Sequence, residues 1–183
     1  MWIGWPGIFT DSKKEQAEIK AVLKKWDCIP VFFDEETINK FFGYYESVIR
    51  PIFHNFKDLN EMENESELDM WQGYLDVNEK IAERACQQSN RDNDLFWLHD
   101  AHLMMVPKLI KRHNIEATIG IFMHSPFPSS DVYKMLPKRI EVLSALTCCD
   151  LIGFHLFEHA RHFFTACRRV LGLNHEFKKG GFL

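Results

Sequence analysis

The chain has 183 residues, 46% hydrophobic, 14% aromatic and 26% charged. That is the composition of a folded domain with a sizeable core, not of a disordered segment. A formal net charge of -4 gives no general basic character for nucleic acid or an acidic membrane surface.

No apolar run reaches transmembrane length and no signal-peptide pattern opens the chain. The cysteines (Cys28, Cys86, Cys148, Cys149 and Cys167) are odd in number and form no Cys-x-x-Cys pair. A reduced, cytoplasmic setting is expected.

In chain order, the apolar run at 2–4 predicts a first strand. Ser12 and Glu15 have capping-box spacing, and Ile19, Val22, Leu23 and Trp26 then repeat at helical spacing. A second strand is expected at 28–33. A helix over 37–50 follows, carrying Ile38, Phe41, Phe42, Tyr45 and Ile49. The acids between Asn55 and Asp69 predict a solvated loop. A longer helix is expected at 67–88, with Leu68, Trp71, Leu75, Asn78 and Ile81 on one side. Strands follow at 95–98, 118–123 and 151–154, and helices at 137–148, with Pro137 in the first turn, and at 156–171.

Strands alternating with helices predict a single α/β domain built from parallel βαβ units with right-handed crossovers. The strands are continuously apolar, as expected when helices cover both faces of the sheet. Met1 is followed at once by strand-like sequence, and the chain stops at Lys-Lys-Gly-Gly-Phe-Leu without a polar tail. Both ends suggest a piece of a longer protein.

Three strands end on histidine: His99 followed by Asp100, then His124, then His155. In a parallel sheet these groups gather along the carboxyl edge, where open α/β folds bind ligands. Capping and loop hydrogen bonding are the structural alternatives. Asp100 suits a sugar hydroxyl acceptor. His99, Asp100 and His102 are too closely spaced for a zinc site, and no cysteine is near. His155, His159 and His162 could share a helix face, but they make no His-Glu-x-x-His pattern. Trp71 and Tyr74 read either as core or as a platform for a sugar ring. No Gly-x-Gly-x-x-Gly, Walker or Gly-x-Ser-x-Gly motif is present.

A larger pattern lies in the ordered motifs Trp-Ile-Gly-Trp-Pro-Gly at 2–7, Arg-Pro-Ile-Phe-His at 50–54 and Trp-Gln-Gly-Tyr-Leu-Asp-Val-Asn at 71–78. Trp-Leu-His-Asp-Ala-His-Leu-Met follows at 97–104, then His-Ser-Pro-Phe-Pro-Ser-Ser at 124–130 and Asp-Leu-Ile-Gly-Phe-His at 150–155. Together they resemble the trehalose-phosphate synthase family of retaining glycosyltransferases over nearly the whole chain. The form of 124–130 resembles the variant in which a synthase-like domain precedes a phosphatase-like domain.

The resemblance implies the two-Rossmann-domain GT-B architecture. The chain would be most of the N-terminal, acceptor-side domain, without the C-terminal UDP-glucose-binding domain. It implies transfer of glucose from UDP-glucose to glucose 6-phosphate, with no metal and no other cofactor. His124 matches the catalytic histidine that contacts the transferred glucose. Asp100, Trp71 and Trp5 match acceptor-pocket positions, and Ser125 joins the substrate-binding set. Asn55 stands where the family has a tyrosine that meets the acceptor phosphate, and Ala101 also replaces a tyrosine. The family's first strand, with its arginine and glycine loop, is expected ahead of Met1. The isolated chain is expected to be inactive. The alternative is a catalytically silent family member that binds partners or sugar phosphates.

Overall fold

The computed structural model describes residues 1–55, 64–89, 94–178 and 181–182. Strands β1 (Trp2–Gly4) and β2 (Cys28–Pro30) pair in parallel, with Trp2 opposite Cys28. The second strand is shorter than its apolar run: Val31 and Phe33 lie beyond it but are still buried. Helix α1 (Lys13–Lys24) makes the crossover. Ser12 caps it, its Oγ accepting the Glu15 N–H at 3.4 Å. The reciprocal half of the capping box goes to Thr10, whose Oγ1 accepts the Ser12 N–H and whose hydroxyl bonds Glu15. The helix buries none of its residues, and Val22 stays exposed, as does Trp26 just beyond it.

Asp34 starts α2 (Glu35–Tyr44) by accepting the Thr37 N–H at 2.7 Å. The expected helix over 37–50 is real but interrupted. A wide π turn at Tyr45–Ile49 leads into α3 (Arg50–Phe53). Pro51 has no N–H to give the turn before it, and it sits where a first helical turn tolerates it. Helix α4 (Asn64–Gln88) begins earlier than its apolar spacing indicates, so Glu67 and Asp69 occupy its first turns instead of a loop. Acids are favourable there, where the helix exposes unpaired N–H groups. Asp69 also pairs with Lys40 Nζ at 2.9 Å. The expected acidic loop at Asp58, Glu61 and Glu63 lies outside the described residues.

Strands β3 (Leu95–His99), β4 (Thr118–Met123) and β5 (Leu151–Phe154) form a parallel sheet in that order. Helix α5 (Val106–His113) lies in a stretch where the sequence pattern predicts none. Then come α6 (Ser130–Tyr133), α7 (Arg139–Leu146) and α8 (Phe157–Ala166). Pro137 falls ahead of the α7 cap, Lys138, and so outside the first turn. A π turn at Cys167–Leu171 ends at Gly172, whose φ of 70° suits a residue without Cβ. A two-residue antiparallel pair, β6 (Phe177–Lys178) and β7 (Gly181–Phe182), closes the described chain.

One face of the three-stranded sheet is packed. Leu98, Ile119, Ile121 and Met123 are buried in a core cluster with residues of α2, α4, α5 and α7. On the opposite face, side chains lie across glycines on the neighbouring strand. A Cβ at Gly120 would come within 2.5 Å of the Trp97 ring, and one at Gly153 within 2.5 Å of Phe122. The described chain is an α/β fold of parallel strands and helices, as the alternation predicts. Among the described residues, no helix is long and apolar enough to cross a membrane.

Candidate functional site

The carboxyl ends of β3, β4 and β5 bring the strand-end histidines into a row. The His99 and His124 rings are 5.4 Å apart, and His124 and His155 are 5.5 Å apart. Trp2 extends the row beyond His99 at 6.2 Å. His99 Nδ1 and His124 Nε2 lie at 3.2 Å, hydrogen-bond distance, so one ring carries the proton between them. If His124 donates from Nε2, only its Nδ1 lone pair faces a ligand. If His99 donates from Nδ1, His124 can offer Nδ1–H to a hydroxyl. The His99 tautomer therefore decides whether His124 acts as donor or acceptor.

Asp100 is bound tightly into this edge. Its N–H donates to Phe122 O at 2.8 Å. Its Oδ1 accepts the Ser125 N–H at 2.8 Å and its Oδ2 the Ser125 Oγ–H at 3.1 Å. The backbone has φ 62° and ψ -179°, a region that is essentially glycine-only and costs about 1–3 kcal/mol for other residues. Such strain persists where surrounding contacts over-determine it, and it clusters at ligand sites. The carboxylate keeps unused lone pairs at the sheet edge, because each oxygen accepts one bond from Ser125 and can take more.

A buried polar strut holds the loop after Asp100. The fully buried Asn78 gives Nδ2–H to Tyr74 O at 2.8 Å and to His102 O at 3.1 Å, and its Oδ1 accepts the Met105 N–H at 3.2 Å. The Tyr74 hydroxyl donates to Ala101 O at 2.7 Å. Burial pushes the Tyr74 phenol far above its ordinary range. His102 stacks on Tyr45 at 3.7 Å, and burial lowers its pKa, favouring the neutral ring. The Tyr45 phenol is raised, chiefly by burial, with a hydrogen bond to Ser125 opposing.

The expected site residues separate into groups. His124, Asp100 and Ser125 come together. Trp5 is half-buried against Phe9 and Phe42, and Phe42 touches His102. The Trp5 indole N–H is buried without a hydrogen-bond partner, a donor unused by the fold. Trp71 is 8% exposed, packed on Tyr44 at 5.1 Å and stacked on Tyr74 at 5.5 Å, so core packing accounts for its ring. Asn55 has φ 57°, a left-handed conformation that asparagine tolerates. It lines a hollow of about 290 Å³ with His54, Phe127, Ser129, His159 and His162. His162 gives Nδ1–H to Phe127 O at 3.0 Å, which assigns its tautomer. Burial lowers the His159 pKa, and His162 beside it adds to the effect. Among the described residues, no group of three or more His, Cys, Asp or Glu is placed to hold a metal ion.

Sequence reasoning missed Tyr45, His102 and Asn78 as parts of this edge. Tyr45 and Asn78 sit at helical spacing among apolar residues and read as core. Only the packing of α2 and α4 against the 100–105 loop reveals what they hold.

Comparison with known proteins gives this geometry a lineage. Residues 1–182 match the glycosyltransferase family 20 profile. Alpha,alpha-trehalose-phosphate synthase (UDP-forming) 6 of Arabidopsis thaliana is 38% identical over 169 residues, 91% of this chain and 20% of the relative. The structure of a Candida albicans trehalose-6-phosphate phosphatase N-terminal domain superposes with a TM-score of 0.81 at 28% identity, covering 99% of this chain and 39% of that one. An alpha,alpha-trehalose-phosphate synthase (UDP-forming) from Burkholderia xenovorans, solved with glucose-6-phosphate, shares the fold with a TM-score of 0.81 at 22% identity, covering 100% of this chain and 39% of that one. The chain thus spans well under half the length of these relatives. On the match across residues 1–182, this chain belongs to glycosyltransferase family 20.

Proposed function

We propose that this chain is the acceptor-side part of a UDP-glucose-dependent glycosyltransferase that forms trehalose 6-phosphate from UDP-glucose and glucose 6-phosphate. The observation that carries the reading is the edge formed by His124, Ser125 and the strained Asp100. It occurs in a chain whose relatives bear the names of UDP-forming synthases. A solved structure of the same fold holds glucose-6-phosphate. His124 faces the transferred glucosyl unit. Asp100 accepts acceptor hydroxyls while Ser125 holds it in place. Trp5 shapes the acceptor pocket, Trp71 supports it from the core through its stacking on Tyr74, and Asn55 lies toward its phosphate. UDP-glucose is held across the cleft by a domain outside this chain, and the reaction needs no metal. The setting is cytoplasmic. The phosphatase N-terminal domain of the same fold supports a parent in which a phosphatase-like domain accompanies this one.

Two faces of the cleft are required, because proximity and stabilisation of the departing diphosphate both come from closing donor on acceptor. The isolated 183 residues should therefore release no UDP in response to glucose 6-phosphate. In the full-length enzyme, His124→Ala should lower turnover by about 10²-fold or more, as loss of a contact made near the reacting centre does. Near-normal turnover in a coupled UDP-release assay would remove His124 from the mechanism.

One observation favours a second reading. Asn55 lacks the tyrosine hydroxyl expected to meet the acceptor phosphate, which suits a silent member that binds sugar phosphate without transferring glucose. Calorimetry separates the two: heat of glucose 6-phosphate binding from a full-length protein that makes no trehalose phosphate selects the silent reading.

A further inference from the structure

Tyr45 opens the π turn at Tyr45–Ile49 and is 8% exposed. Wide turns of this kind inside helices recur at functional sites. Its ring stacks on His102, with centroids 3.7 Å apart and an interplanar angle of 25°. The His102 carbonyl is tied in turn to Asn78 at 3.1 Å. The ring is therefore held by the loop after β3, and its hydroxyl forms a hydrogen bond with the Ser125 side chain. Packing does not call for that hydroxyl, since a phenylalanine ring would stack on His102 equally well.

The direction of this bond follows from counting protons. Ser125 is 5% exposed, so its hydroxyl has no bulk water to turn to. Its oxygen lies 3.1 Å from Asp100 Oδ2, and a carboxylate only accepts. The single Ser125 hydroxyl proton therefore goes to Asp100. The proton between Tyr45 and Ser125 then comes from Tyr45, whose phenol burial keeps protonated. The result is a one-way chain from Tyr45 to Ser125 to Asp100, in which each bond polarises the next.

We propose that Tyr45 is a positioning residue of the acceptor site, which commits the Ser125 hydroxyl to Asp100 and so fixes the lone pairs that Asp100 offers to sugar hydroxyls. The proposal rests on the acceptor-side reading above. Without the Tyr45 hydroxyl, the Ser125 Oγ–H can turn to another acceptor. Asp100 then keeps only the Ser125 N–H on Oδ1, at 2.8 Å, and its carboxylate plane is less sharply fixed. Tyr45 acts through Ser125 and not by contact with the acceptor.

Tyr45→Phe in the natural full-length protein tests this, with glucose 6-phosphate as the calorimetric probe. The ring and its stack on His102 stay, and only the hydroxyl goes. Affinity should fall by about fivefold or more, as loss of one hydrogen bond in a buried network does. Where the enzyme turns over, the loss should appear in KM and not in kcat. In a background that already carries Ser125→Ala, the same substitution should change affinity by less than about twofold, because the link it removes is already gone. The melting temperatures of the four proteins read the same link without ligand. The double variant should lose clearly less than the sum of the two single losses. Additive melting losses would overturn the proposal, since a ring that serves only packing acts alike in either background. Unchanged affinity in Tyr45→Phe, with the wild type binding, would overturn it too and leave the acceptor reading standing. A wild type that binds no glucose 6-phosphate would overturn the acceptor reading itself, and this role with it.

Discussion

His99 is the residue whose state matters most to its neighbours. Its Nδ1 lies at hydrogen-bond distance, 3.2 Å, from His124 Nε2, and its ring stacks on Trp2. Removing it frees His124 Nε2 and abolishes the coupling of tautomers. In the 183-residue chain, His99→Ala should change the His124 ring-nitrogen shifts to those of a solvent-exposed imidazole. Asp100→Ala should leave them nearly unaltered. Equal effects of the two substitutions in nitrogen-15 NMR would mean that His124 responds to general loosening of the edge and not to its partner. Asp100 itself reports a different physics. Its left-handed φ is held by bonds to Phe122 and Ser125, and no local sequence preference calls for it.

At the scale of elements, the edge rests on how α4 meets α2 and the loop after β3. The two helices approach so closely that a Cβ at Gly73 would lie 2.3 Å from Lys40 Cβ and 3.2 Å from the Phe41 backbone nitrogen. Neither neighbour can swing aside. Gly73→Ala should therefore destabilise the chain by about 1–3 kcal/mol, despite alanine's better helix propensity. Urea titration gives the measurement, and a neutral result would mean that the helices separate at little cost. Asn78 joins α4 to the site, with its three bonds reaching Tyr74, His102 and Met105. Asn78→Ala leaves the part-buried His102 carbonyl and the buried Met105 N–H without these partners, and should cost about 2–4 kcal/mol. The elements themselves were largely legible. Each of the five apolar runs contains a strand, because continuous β-rich stretches bounded by turn residues have few other solutions. The break of the second helix at the π turn was not legible, since apolar spacing alone does not distinguish a π turn from an α turn.

At the scale of the whole molecule, stability should depend on pH through two half-buried histidine rings. Burial lowers the pKa of His102 and His159 below the ordinary 6.5. Below pH 6.5 the unfolded chain binds protons that these folded rings do not. Their contribution is therefore complete above that value and declines as pH falls through it toward the folded values. The melting temperature should fall on acidification from pH 7 to 5.5. His102→Gln should reduce the slope, and an unchanged slope would assign the effect to other groups. The sequence by itself determined the α/β class, the strand positions, the family and the placement of His99, Asp100, His124 and His155 at strand ends. Those features follow from local periodicity and ordered motifs. Only the tertiary structure decided that Asp100 is tied to Ser125, that His99 and His124 come within hydrogen-bond distance, and that Trp71 is packed into the core. These depend on register and on contacts between residues far apart in the chain, which local pattern does not encode.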